Sequence, residues 1–175
     1  MSEFSSKVFQ KTTDADILIL GVGNPILSDD GVGIHVLREI ERKYSHLSGI
    51  EFSELSTGGL SLAERFIGYK TVIMIDALAL ENGVPGQVHK LSIDEFNTTI
   101  HAYCAHDCNL PTAYDILEKE LGSEKLPDDV IIIGIEAERF DEFGETLSEK
   151  VAAAVPEAVA LVEKELKKLF PELNK

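Results

Sequence analysis

Two adjacent carboxylates, Asp29 and Asp30, close the run Gly21-Val22-Gly23-Asn24-Pro25-Ile26-Leu27-Ser28-Asp29-Asp30-Gly31-Val32-Gly33. A glycine-rich turn from strand to helix ordinarily favours an anion, because free N–H groups and the helix dipole point into it. Two acids there would repel a pyrophosphate, and Ile26 stands where the dinucleotide fingerprint needs its third glycine. The turn is therefore suited to a cation. Asp76 follows the apolar run Val72-Ile73-Met74-Ile75, where an acid is costly unless it has a partner. His106 lies in His101-Ala102-Tyr103-Cys104-Ala105-His106-Asp107. Asp30, Asp76 and His106 together offer two carboxylates and an imidazole, a ligand set for a divalent ion such as nickel or zinc with positions left open for water or substrate. Linear spacing does not show that they converge.

Each residue has a plainer reading. Asp29 or Asp30 could stabilise a helix N-terminus, worth a few tenths to about 1 kcal/mol; Asp29 is also a reserve base beside Asp30. Asp76 could accept a turn hydrogen bond, and a lone histidine is usually structural. Cys104 and Cys108 flank His106 as a soft metal site, a redox pair or a nucleophile with its imidazole, or they are semi-buried small side chains. Neither has an orienting third group in sequence. The chain contains no Gly-x-Ser-x-Gly elbow and no His-Glu-x-x-His pair, so the usual hydrolase signatures are missing.

Alternating strands and helices must position these groups. Short apolar runs predict strands over 17–23, 50–55, 71–75 and 130–135, the third ending at Asp76; alternation over 87–93 predicts a one-sided, antiparallel edge strand. Val32, Val36 and Ile40 mark a helix over 31–44, and further helices are expected over 60–67 and 110–121. A C-terminal helix starts near Thr146, where Thr146 and Glu149 have capping-box spacing, and buries Val151, Val155, Val159, Val162 and Leu166; Pro156 should kink or divide it. This order predicts a single three-layer α/β/α domain over 15–172, behind a polar tail of 1–14, with a mostly parallel sheet of about five strands and one antiparallel strand. Ligands of such sheets bind beyond the carboxyl ends of the strands.

The 175 residues are 44% hydrophobic, enough for one sizeable core. A formal net charge of -15 argues against nucleic acid, whose affinity comes from Lys and Arg on phosphates. It suits a basic partner or metal ions, or simply solubility. The polar first fourteen residues have no apolar signal region, and no run is long enough to span a membrane. Two cysteines make no disulfide framework. A cytoplasmic protein without membrane attachment is expected.

The run from Gly21 to Gly33 closely resembles the N-terminal signature of the nickel-iron hydrogenase maturation endopeptidases. The similarity continues through Thr57-Gly58-Gly59-Leu60, Ile75-Asp76-Ala77, Ala105-His106 and Ile133-Gly134-Ile135-Glu136, spanning roughly 16–166. One departure is Leu55-Ser56-Thr57-Gly58-Gly59, where the family often has Asp-Gly-Gly-Thr. The resemblance implies an enzyme that removes a C-terminal peptide from a hydrogenase large-subunit precursor after nickel insertion. It also implies that the residues at Asp30, Asp76 and His106 contact the metal. In that reading nickel arrives with the substrate and gates cleavage. A non-enzymatic nickel-sensing chaperone of the immature large subunit shares the same ligands and differs only in turnover. Another amide hydrolase on the same scaffold, or a nucleotide module at the glycine turn, are further alternatives.

Overall fold

The computed structural model describes residue 11, residues 13–99 and residues 110–174. Its centre is β1 (Ile17–Val22), β3 (Thr71–Leu78) and β5 (Asp129–Glu136), apolar strands that lie side by side and parallel. Both faces of these strands are covered, which is why their sequences run apolar without alternating. β2 (Ile50–Leu55) adds in parallel beside β1, and β4 (Val88–Ser92) pairs antiparallel with β5, giving the order β2-β1-β3-β5-β4.

Successive strand residues point to opposite faces. Leu18, Leu20, Val72, Met74 and Ile132 pack with α2 (Gly59–Glu64) and α4 (Leu110–Leu121). Ile19, Ile73, Ile75, Ile133 and Ile135 pack with α1 (Val32–Tyr44) and α5 (Glu149–Leu169). The three-layer α/β/α arrangement expected from the element order is the one observed, including the single antiparallel pair. A further helix, α3 (Ile93–Thr99), follows β4 and was not anticipated from the sequence.

Several boundaries differ from expectation for physical reasons. β3 continues past Ile75 to Leu78 because β5 goes on pairing with it through Glu136, so Asp76 stands inside the strand rather than closing it. The acid pair occupies a 3-10 turn, Ser28–Gly31, that precedes α1. α2 stops at Glu64 rather than reaching residue 67. The Thr146/Glu149 capping box does not form; Ser148 is the N-cap of α5 and makes no side-chain capping bond. α5 runs unbroken through Pro156, with Ala154 and Ala158 joining Val151, Val159, Val162 and Leu166 in the core while Val155 is only half-buried. Glu165 is also buried on this helix, where Lys90 of β4 and Lys168 donate to it at 2.8 and 2.7 Å.

Candidate active site

The carboxyl ends of β1 and β3 form a crevice because chain order reverses there: β1 leads through α1 to β2 on one side, while β3 lies on the other. The β1–β3 ladder ends at Gly21 and Ile75. Asp76 is the next residue of β3, paired with Gly134 of β5 but past the last rung shared with β1. By strand alternation its side chain is on the face of Val72 and Met74, the face covered by α2 and α4.

Asp30 is brought to this crevice by glycines. Gly23 turns the chain with φ 131°, and a Cβ there would lie 1.9 Å from the carbonyl oxygen of Asp30. At Gly33 a Cβ would lie 2.3 Å from the Ile75 carbonyl and 2.4 Å from that of Val22, so only glycine lets the first turn of α1 settle on the two strand ends. The Asn24 N–H donates to Asp30 Oδ2 at 2.6 Å, the Asp30 N–H donates to the Leu27 carbonyl at 3.0 Å, and Asn24 Oδ1 accepts the Ile26 N–H at 3.2 Å. Ser56 donates from its hydroxyl to the Gly23 carbonyl at 2.9 Å. Thus the segment that departs from the family pattern holds the glycine turn, a role that the sequence did not signal.

Electrostatically, the two acids oppose each other. Burial raises the Asp76 carboxyl to about 7, the negative charge of Asp30 adds to the rise, and the Ala77 N–H, donated to Oδ1 at 2.8 Å, works against it. Burial also raises Asp30, opposed by the Asn24 N–H. Two neighbouring half-buried carboxylates cannot both be charged cheaply without a proton or a cation between them. Their titrations belong to the pair rather than to either residue.

Asp29, next in sequence to Asp30, has a different office. It is fully buried, and its carboxylate accepts the Ser148 N–H on Oδ1 at 2.6 Å and the Arg139 and Glu138 N–H groups on Oδ2 at 3.2 and 3.4 Å. Asp29 is a helix-terminal acid after all, at the N-terminus of α5 rather than α1, where it accepts the N–H of the N-cap residue Ser148. Backbone bonds extend the join: Ser28 N–H to the Gly144 carbonyl, Asp29 N–H to the Arg139 carbonyl, and Gly144 N–H to the Ile26 carbonyl, at 2.7, 3.1 and 3.0 Å. The Ser28 hydroxyl donates to the Thr146 carbonyl at 2.9 Å. With its carboxylate enclosed by these donors, Asp29 is not available as a reserve base.

A second buried acid, Glu136, ends β5 on the same face as Asp76. Its Oε1 lies 2.5 Å from His89 Nε2, and its Oε2 accepts the Val84 N–H, fixing the loop between β3 and β4. His106, Cys104 and Cys108 lie outside the described residues. The structure therefore brings Asp30 and Asp76 together, and among the described residues no group of three His, Cys, Asp or Glu side chains is arranged to hold a metal ion. The helix that follows His106 in sequence, α4, packs on the face that Asp76 occupies. No helix among the described residues is long and apolar enough to cross a membrane.

Comparison with known proteins gives this crevice a context. A family model described as hydrogenase maturation protease matches residues 34–165, a span that contains Asp76 and His106. A putative hydrogenase maturation protease of Methanocaldococcus jannaschii is 31% identical over 160 residues, covering 87% of this chain and 97% of its own. The NiFe hydrogenase maturation protease HybD of Thermococcus kodakarensis superposes with a TM-score of 0.60 at 26% identity, covering 85% of this chain and 97% of that one. The hydrogenase maturating endopeptidase HybD of E. coli shares the fold with a TM-score of 0.71 at 23% identity, over 88% of this chain and 93% of its own. The chain belongs to the hydrogenase maturation protease family and is a peptidase.

Proposed function

We propose that this peptidase removes the C-terminal peptide from a nickel-loaded hydrogenase large-subunit precursor, and that Asp30, Asp76 and His106 contact nickel carried by the substrate rather than a resident ion. Family membership supports the processing of a hydrogenase precursor. The observation that carries the nickel part is the pair of carboxylates in one crevice, both biased by burial toward the protonated form, with Asp76 raised further by the charge of Asp30. A divalent ion arriving with the precursor offsets that repulsion and draws both acids into their charged state. An empty precursor offers no such compensation, so the same crevice discriminates loaded from unloaded substrate.

In this reading nickel serves as a check on the substrate and fixes the scissile amide against the crevice. The attacking water is activated by a carboxylate. Asp76 suits that task, since once drawn into its charged form it can accept a proton from the water. Asp29 and Gly33 act only through Asp30, by fixing the turn that carries it.

Mass spectrometry of a large-subunit precursor, incubated with this protein before and after nickel loading, tests the proposal. Loss of a defined C-terminal peptide from the loaded form alone is the expected result. Asp30→Asn and His106→Ala should each abolish that loss while leaving the circular-dichroism spectrum unchanged; full processing by either would refute the assigned ligands. Binding of loaded precursor without loss of mass would favour the chaperone, and cleavage regardless of nickel would remove the metal from the gate.

A further inference from the structure

Three of the large apolar side chains left in solvent, Ile26, Val84 and Phe143, belong to loops at the carboxyl end of the sheet, whereas Ile116 and Leu169 stand on helices. Phe143 is 86% exposed and Ile26 49%. Neither sits on loose chain. Leu27 and Gly144 form a parallel bridge, and the Gly144 N–H donates to the Ile26 carbonyl at 3.0 Å. Ile26 and Phe143 are therefore each one position before a bridged residue, which holds the two exposed side chains on adjoining segments of backbone. An aromatic ring held out of the core on a backbone pinned to the Asp30 turn contributes nothing to the fold. It is the kind of side chain that anchors protein contacts.

The charges around it select a partner. Asp141, Glu142 and Glu145 are exposed beside Phe143, and the one cation of this segment, Arg139, is 3.7 Å from Glu142. We infer that Ile26 and Phe143, with their acidic border, form the contact surface for the polypeptide substrate, receiving a stretch of precursor near its scissile bond that carries a large apolar side chain beside Lys or Arg. This rests on the processing function proposed above, and its place next to Asp30 makes it continuous with that site.

The experiment uses the full chain and a nickel-loaded large-subunit precursor, and compares the wild type with Phe143→Ser, with Glu142→Lys/Glu145→Lys, and with Leu169→Ser, a control at the far end of α5. Cleavage is followed by mass spectrometry, and affinity for the precursor is measured separately by surface plasmon resonance. Phe143→Ser should raise KM about tenfold, with kcat and Tm retained, and Leu169→Ser should match the wild type. The double lysine variant should also raise KM and flatten its dependence on salt. Wild-type KM and affinity in Phe143→Ser would overturn the surface while leaving the processing function standing. If the wild type cleaves no precursor, the processing function fails instead. Affinity then decides the surface by itself: weaker binding by Phe143→Ser sustains it and equal binding overturns it.

Discussion

Asp29 and Asp30 are neighbours in the chain with opposite employments, one enclosed by donors and the other facing a second acid. The sequence made Asp30 and Asp76 legible, because acids placed beside apolar strand ends are costly without a use. It could not reveal Asp29's role, since its partners Glu138, Arg139 and Ser148 lie more than 100 residues away. Asp29→Ala leaves those N–H groups without an acceptor and should cost about 3 kcal/mol, read as a lower midpoint in urea. A midpoint equal to the wild type would mean that the join is not needed. For Asp76 the sign runs the other way. Its carboxyl is raised from the ordinary value of 3.8 to about 7, so the folded chain holds more protons than the unfolded one between those values, and stability falls as pH rises through that window. Asp76→Asn should therefore raise Tm at pH 8, change it little at pH 4, and abolish processing. A lower Tm at pH 8 would contradict a strained carboxylate.

At the level of elements, apolar runs and periodicity identified the sheet strands and the buried faces of α1 and α5 because the core takes up their apolar rows. It failed where tertiary pairing overrode local signals. Nothing in the run 71–78 shows that β5 will extend β3 beyond Ile75, and this extension is what sets Asp76 beside Gly134. The short α3 carries too few turns for a clear period. Pro156 was expected to divide α5, yet the helix is continuous, with Pro156 and Ala152 both on its exposed side. There the carbonyl released by the missing N–H can bond to water instead of being stranded in the core. Pro156→Ala should restore the helical bond and stabilise the fold by about 2–3 kcal/mol, raising Tm without altering cleavage. Destabilisation would show that α5 depends on the proline's geometry.

Across the whole molecule, β1, β3 and β5 are each paired on both edges, while among the described residues β2 and β4 are paired on one edge only and are half-exposed. Local opening should therefore begin at the sheet margins. In native-state hydrogen exchange, the amides of β1, β3 and β5 should be the slowest and those of β2 and β4 clearly faster; uniform protection across the sheet would contradict this ordering. The crevice is thus assembled on the rigid middle strands, with Asp76 supplied by one of them and Asp30 by the turn that follows another. Among the described residues, the hydrogen bonds that join the Asp30 turn to the segment before α5 use that segment's main chain: N–H groups of Glu138, Arg139, Gly144 and Ser148, and carbonyls of Arg139, Gly144 and Thr146. Such a seam is blind to side-chain identity. Residues 140–145 can consequently drift during evolution, or be exchanged by an engineer, and change which surface is offered to a partner while the acid beneath keeps its place.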